Sequence, residues 1–138
     1  MKVVFEPGDI AAAFNADPEF RLCARFWTGV LEFGVGDRVY AVTMADGVVA
    51  GVTVADLAPL PPAAASPGSG LVRISAPDYD WSQLVKTPAP PFYLDYYGAS
   101  AHHDFELGGD QDTLWAYYPA IRRTTDLFRA IATVAEDA

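Results

Sequence analysis

Apolar and polar positions alternate most regularly between Trp27 and Val54, in WTGVLEFGVGDRVYAVTMADGVVAGVTV. Three strand-like runs are joined there by two very short turns, Gly36-Asp37 and Asp46-Gly47. Such turns favour hairpins, because primed turns need positive φ at low steric cost. The pattern predicts a three-stranded antiparallel meander. Trp27, Leu31, Phe33 and Val35 share one face of its first strand, and Tyr40, Val42 and Met44 share one face of its second. The third run, VVAGVTV, has no strongly polar side, which suits a strand that is covered on both faces or lines a cavity. Gly29 and Gly51 fall inside strands and mark a bend, a bulge or a close backbone approach.

The periodicity changes on either side of the meander. Met1 to Glu6 reads as a short edge strand. Asp9 is the expected cap of a helix over IAAAFNA, and Asp17-Pro18-Glu19 starts a second helix with Asp17 as its N-cap. That helix turns Phe20, Cys23 and Ala24 inward. After the meander, Ala58 to Gly70 (APLPPAAASPGSG) has no periodicity and reads as a flexible surface loop within one domain spanning 1–138. Leu71 to Ser75 is a fourth strand, and Pro77-Asp78 opens a short helix with Trp81, Leu84 and Val85 on its apolar side. A further short helix over FYLDYYG should end at Gly98, and His103 to Leu107 is a fifth strand. The last helix carries Leu114, Tyr118, Ile121, Leu127 or Phe128, and Ile131 at helical spacing, with a kink or break expected at Pro119. Glu136 to Ala138 should fray. The class is α+β, with a five-stranded, mostly antiparallel sheet covered by short helices and a long C-terminal helix. The segments from Trp81 to Phe128 are the expected cover.

Composition narrows the function classes. With 138 residues, 51% of them hydrophobic, the chain can build one real core. A formal net charge of −9 argues against a nucleic-acid partner and against steady binding to anionic lipid. The single cysteine, Cys23, lies in an apolar context and reads as a buried thiol. Neither a leader pattern nor an apolar run long enough for a membrane span is visible, so a soluble, cytoplasmic protein without stable membrane insertion is the expectation.

Several local motifs resemble the sterol carrier protein 2-like (SCP2-like) domains. The small helices before WTGVLEFGVGDRVYAVTMADGVV and its paired turns look like that family's opening. VRISAPDYDWSQLV looks like its strand leading into a short helix. HHDFELGGDQDTLWAYYPAIRR looks like its step into the closing helix. Together they cover most of the chain. His102 and His103 stand where the family usually has a small residue, and Pro119 interrupts the closing helix. The resemblance implies an apolar tunnel between sheet and helices that holds lipids, sterols or acyl-CoA, and no cofactor.

Candidate chemistry concentrates in the second half. Trp81, Phe92, Tyr93, Tyr96, Tyr97, Trp115 and Tyr118, with Trp27 and Phe128, are the expected ligand-binding residues, since buried tyrosines bring apolar area and a hydroxyl needing a partner. The ligand would be a sterol, a fatty acyl chain or a polycyclic compound. A second reading is a cofactor-free isomerase, cyclase or lyase, with His102, His103, Asp95 and Tyr96 as acid/base candidates. On a strand only one of the two histidines would face inward, a spacing that suits no metal site. A third reading is a structural domain that forms a homodimer through a sheet edge. No nucleophile elbow, phosphate loop or H-E-x-x-H motif is present.

Overall fold

The structure, a computed structural model, describes residues 1–136. Its five-stranded sheet contains β2 (Gly29–Val35), β3 (Arg38–Ala45), β4 (Val48–Asp56), β5 (Leu71–Ala76) and β6 (Glu106–Gly109), in the order β4-β3-β2-β5-β6. The β2–β5 pairing is parallel and the other pairings are antiparallel, so the sheet is mixed but mostly antiparallel. Both hairpin turns form as the sequence predicts. Gly36, Asp46 and Gly47 all take positive φ, at +63°, +48° and +79°. At Gly29 a Cβ would lie 2.4 Å from the Gly70 carbonyl oxygen, so glycine is required where β5 approaches. The register shift opposite Thr43 and Met44 places a bulge beside Gly51.

One face of the sheet is buried. Leu31, Phe33 and Val35 continue across the parallel register into Val72, Ile74 and Ala76, and Tyr40, Val42 and Met44 extend the same surface. The cover comes from both ends of the chain, which corrects the expectation that Trp81 to Phe128 supply all of it. Helices α1 (Pro7–Ala16) and α2 (Pro18–Ala24) contribute Ile10, Phe14 and Phe20. Helices α3 (Asp78–Leu84), α4 (Tyr96–His102), α5 (Gln111–Ala116) and α6 (Tyr118–Ile131) contribute Trp81, Tyr96, Leu114, Ile121 and Phe128. Pro119 does break the last helix, because it sits in the first turn of α6, where its missing N–H costs nothing.

Other boundaries differ from expectation. The first helix starts at Pro7, ahead of Asp9, with Glu6 at the N-cap and no side-chain cap bond. Gly98 does not end a helix. It lies in the first turn of α4, where its N–H is capped by Asp95. His102 and His103 are the end and the C-cap of α4 rather than strand residues. The chain beyond α6 turns into β7 (Thr133–Ala135), which pairs with β1 (Lys2–Val4) as a separate antiparallel ribbon. Of the segment expected to fray, Glu136 has no regular structure, and Asp137 and Ala138 lie outside the described residues. The second half of β4 is not covered on both sides, for Val54 is exposed.

The β4–β5 connection must cross β3 and β2 to reach β5, and it does so over the outer face. Leu57 sits above Gly34 and Ser75, and the short 3-10 helix Pro62–Ala65 follows. Polar anchors hold the crossing, because its sequence offers no helical or strand periodicity. Ala58 accepts a hydrogen bond from Arg73, and Gly68 and Gly70 donate to Asp110 Oδ2, each at 3.1 Å. Among the described residues, no helix is long and apolar enough to cross a membrane.

Candidate functional site

The inner space is organised around Phe128. Its ring meets Phe5 at 4.5 Å, Phe33 at 4.7 Å, Phe14 at 5.5 Å and Trp81 at 5.6 Å between centroids. Trp81 is fixed by an indole N–H that donates to the Gly34 carbonyl over 2.8 Å, which locks α3 onto β2. Tyr96, fully buried, lies 6.3 Å from Phe33 and 5.9 Å from Trp81. Aromatic edges and faces at these distances fill the centre of the sheet–helix interface with rings.

Two polar pairs lie at this layer. Tyr96 Oη and Thr124 Oγ1 are 2.6 Å apart, and Thr124 donates to the Ile121 carbonyl at 2.6 Å. The threonine proton is therefore spent, and the tyrosine is the donor of the pair. Burial pushes the Tyr96 phenol far above its ordinary value, so it stays a neutral donor. Tyr93 donates to Asp80 Oδ1 at 2.9 Å, and burial followed by that carboxylate raises its phenol as well.

The acid/base candidates sit at different places around α4. Asp95 caps the helix N-terminus, accepting from Gly98 at 3.0 Å, and its other oxygen is 3.3 Å from Arg122. His102 is exposed and stacked on Phe92, with centroids 3.7 Å apart. His103 is half-buried, stacked on Tyr93 at 3.9 Å, with Nε2 3.1 Å from the Pro91 carbonyl oxygen. Asp95 and His103 thus occupy opposite ends of a seven-residue helix, and Tyr96 points from it into the core. The four are not gathered around one space.

The aromatic candidates divide into two groups. Trp27, Trp81, Tyr96 and Phe128 are fully buried and Tyr93 nearly so. Phe92, Tyr97 and Trp115 are exposed, and Tyr118 is half-buried. Tyr118 Oη accepts the Tyr97 N–H at 2.9 Å, and Trp115 lies 5.3 Å from Tyr118 and 5.9 Å from Tyr97.

The two groups meet at the α5–α6 junction. Tyr117, in the break before Pro119, stacks on Trp27 with centroids 4.8 Å apart and planes within 4°. Beside it opens a cavity of about 300 Å³ lined by Leu22, Cys23, Arg25, Phe26, Ala116, Tyr117 and Pro119. Leu22 is 61% exposed and Phe26 is 79% exposed. Phe26 has φ +75°, an outlier for a bulky residue that turns its ring away from the core. Cys23 is half-buried at this opening rather than sealed in the core. Trp27 Nε1, on the ring that stacks on Tyr117, is buried and has no hydrogen-bond partner among the described residues. Leu22, Phe26 and Tyr117 do not stand out from helical spacing alone, since α2 ends at Ala24 and the break at Tyr117 re-aims its neighbours. The signal available was Pro119, which marks where aromatic residues leave the helical face.

The fold is that of the SCP2-like domains. A crystal structure of sterol carrier protein 2 superimposes with a TM-score of 0.69, at 16% identity, covering 93% of this chain and 98% of that one. The solution structure of a conserved hypothetical protein from Thermus thermophilus, described as possibly a sterol carrier protein, gives 0.66, at 17% identity, covering 96% and 92%. No protein-family model and no curated protein matches the sequence. The α+β order, the mixed sheet and the closing helix all belong to this fold.

Proposed function

We propose that this protein binds an apolar small molecule, such as a sterol, a fatty acyl chain or a polycyclic compound, between the sheet and α6, admitted at the α2 and α5–α6 junction. The observation that carries the reading is an exposed Leu22 and Phe26 beside a cavity bordered by Tyr117, with the Trp27 ring stacked on Tyr117 from the buried side. Exposed large apolar side chains at the rim of a concavity lead inward to an aromatic layer. That is the arrangement a hydrophobic ligand site needs. The strained φ of Phe26 supports it, because such strain concentrates at functional positions. The fold likeness to a sterol carrier agrees with it.

Binding would draw on apolar burial at about 25 cal/mol per Å² before ordering costs. The centre is filled with rings, so a ligand that enters from the cavity beside Tyr117 would have to displace some of them. Trp27 Nε1 would give an incoming hydroxyl or carbonyl a donor that is unpaired among the described residues. A catalytic reading on Asp95, Tyr96, His102 and His103 would need these groups to converge, and no observation favours it over binding.

The test is native mass spectrometry of the purified protein with organic extraction, alongside titration of a fluorescent fatty acid followed by tryptophan emission. A bound mass, or saturable quenching that Phe26→Ser and Tyr117→Ala both weaken, supports the proposal. Quenching that neither substitution alters places the ligand elsewhere, and no binding at all removes the reading.

A further inference from the structure

The opposite, outer face of the sheet holds a second concavity that the proposed function does not use. The crossing from Leu57 to Leu60 roofs it. On one side of Leu57 a cavity of about 370 Å³ is lined by Ala58, Pro59, Leu60, Arg73 and Gly108. On the other side a cavity of about 570 Å³ is lined by Gly36, Ala76, Pro77, Asp78 and Asp104. Leu57, Ser75 and Glu106 border both, so the two form one trough with Leu57 across it. Gly34 and Gly108 leave its floor without side chains at those two outward positions. Gly34 has no room for a Cβ beside Ser75 and Leu57, at 2.7 Å and 3.2 Å, and Gly108 lies under Leu60.

The charges along this trough are unequal. Arg73 pairs with Glu32 at 2.9 Å and also reaches the Ala58 carbonyl, so its charge is compensated. Asp78 is held by Arg38 at 3.2 Å and by the Val3 N–H at 2.8 Å. Asp104 and Glu106 are exposed and make no ion pair among the described residues. Phe105 between them is buried, and both acidic residues line the trough. The chain as a whole is also strongly acidic.

We infer that this trough is a binding site for a cationic amphiphile, an organic ammonium with an apolar body. Leu57, Pro59, Leu60, Ala76 and Pro77 cover the body, and Asp104 and Glu106 meet the cation. A low-dielectric cleft lined by one sign of charge concentrates ions of the other sign. The same field repels carboxylates and phosphates, so the ligand class differs from free fatty acids and acyl phosphates. The inference stands on the outer face alone, independently of the site at Tyr117.

The experiment compares n-octylammonium, octanol and octanoate by amide chemical-shift titration of the full chain. The ammonium should shift Ser75, Glu106 and Gly108, and bind about tenfold tighter than octanoate, with the advantage shrinking as salt is added. Asp104→Asn with Glu106→Gln should abolish the preference while octanol binding persists. Leu57→Trp, which fills the trough from an exposed loop position, should weaken ammonium and alcohol alike. Equal affinity for octanoate, or no shift at these amides, overturns the inference. Shifts confined to Tyr117 and Phe128 also overturn it, and report on the inner site instead.

Discussion

Trp27 and Tyr117 lie parallel, with ring centroids 4.8 Å apart. Parallel rings in contact at that centroid distance are offset, the favoured form of a stack. Tyr117 comes from the break between α5 and α6, and Trp27 from the residues just before β2, so the pair closes the N-terminal helices against the C-terminal one. Tyr117→Ala should cost about 1–2 kcal/mol of stability, from lost stacking and lost apolar burial. Trp27 should then emit at longer wavelength, which is measurable in a background where Trp81 and Trp115 are phenylalanine. An unchanged emission maximum would mean that Tyr117 does not cover the indole.

The Tyr96–Thr124 pair predicts an asymmetry. Thr124→Val removes the acceptor of a fully buried phenol that has no other partner among the described hydrogen bonds, and should cost about 1–3 kcal/mol. Tyr96→Phe leaves Thr124 still bonded to the Ile121 carbonyl, and should cost only about 0.5–1.5 kcal/mol. The double variant should be less destabilised than the sum of the two. Urea denaturation of all four proteins measures this. Additive losses would show that the two hydroxyls do not depend on one another.

How far the sequence discloses the molecule can be traced through particular residues. The Asp46-Gly47 turn and the Asp17-Pro18 cap are local, their chemistry sits within four residues, and both form as read. The break at Pro119 is local in the same way. The path of residues 57–70 across the sheet is not local. It follows from β5 pairing parallel to β2, a contact between positions about forty apart that no short pattern encodes. The histidines fail for a related reason. Reading His102 and His103 as strand residues takes their neighbours Phe105 and Leu107 as the guide to period, whereas the Asp95 cap starts a helix that runs through Gly98 to His102. In the candidate site, the buried rings were legible as apolar positions. The exposure of Phe26 was not, because it depends on a positive φ at a non-glycine residue.

Asp110 ties three segments together. Its carboxylate accepts from Gly68, Gly70, Asp112 and the backbone and side chain of Thr113. The Thr113 hydroxyl and then the Gly70 amide hold its acid well below the ordinary carboxylate value. A depressed folded-state value means that the stabilisation is complete above the unfolded carboxylate range, and is lost as pH falls through the folded value. Asp110→Ala should therefore lower the melting temperature more than Asp95→Ala, which loses one capping bond, a contact with the largely exposed Arg122 and a contact with the Tyr118 hydroxyl. The difference between Asp110→Ala and wild type should narrow in acid. A difference that stays constant with pH would show that the charge on Asp110 is not what holds the loop.

Arg123 and Asp17 join α6 to the N-cap of α2 across 106 residues of chain, through two bonds of 3.0 Å each. The bidentate geometry and the partial burial of both side chains, 30% and 11% exposed, set this pair apart from the open Arg122–Asp95 contact. Hydrogen bonding from Arg123 is the main cause that lowers the Asp17 acid, with the Phe20 amide assisting and burial opposing. The sign is that of a depressed carboxylate: stability is gained above its unfolded value and disappears as pH drops through the folded one. Arg123→Met, which keeps much of the apolar stem, should cost about 1–2 kcal/mol at neutral pH and much less once Asp17 is protonated. Arg123→Lys should recover only part of the loss, because an ammonium cannot make the paired fork. Denaturant midpoints of the three proteins across the acid range decide it, and full recovery by lysine would show that the fork geometry contributes nothing beyond its charge.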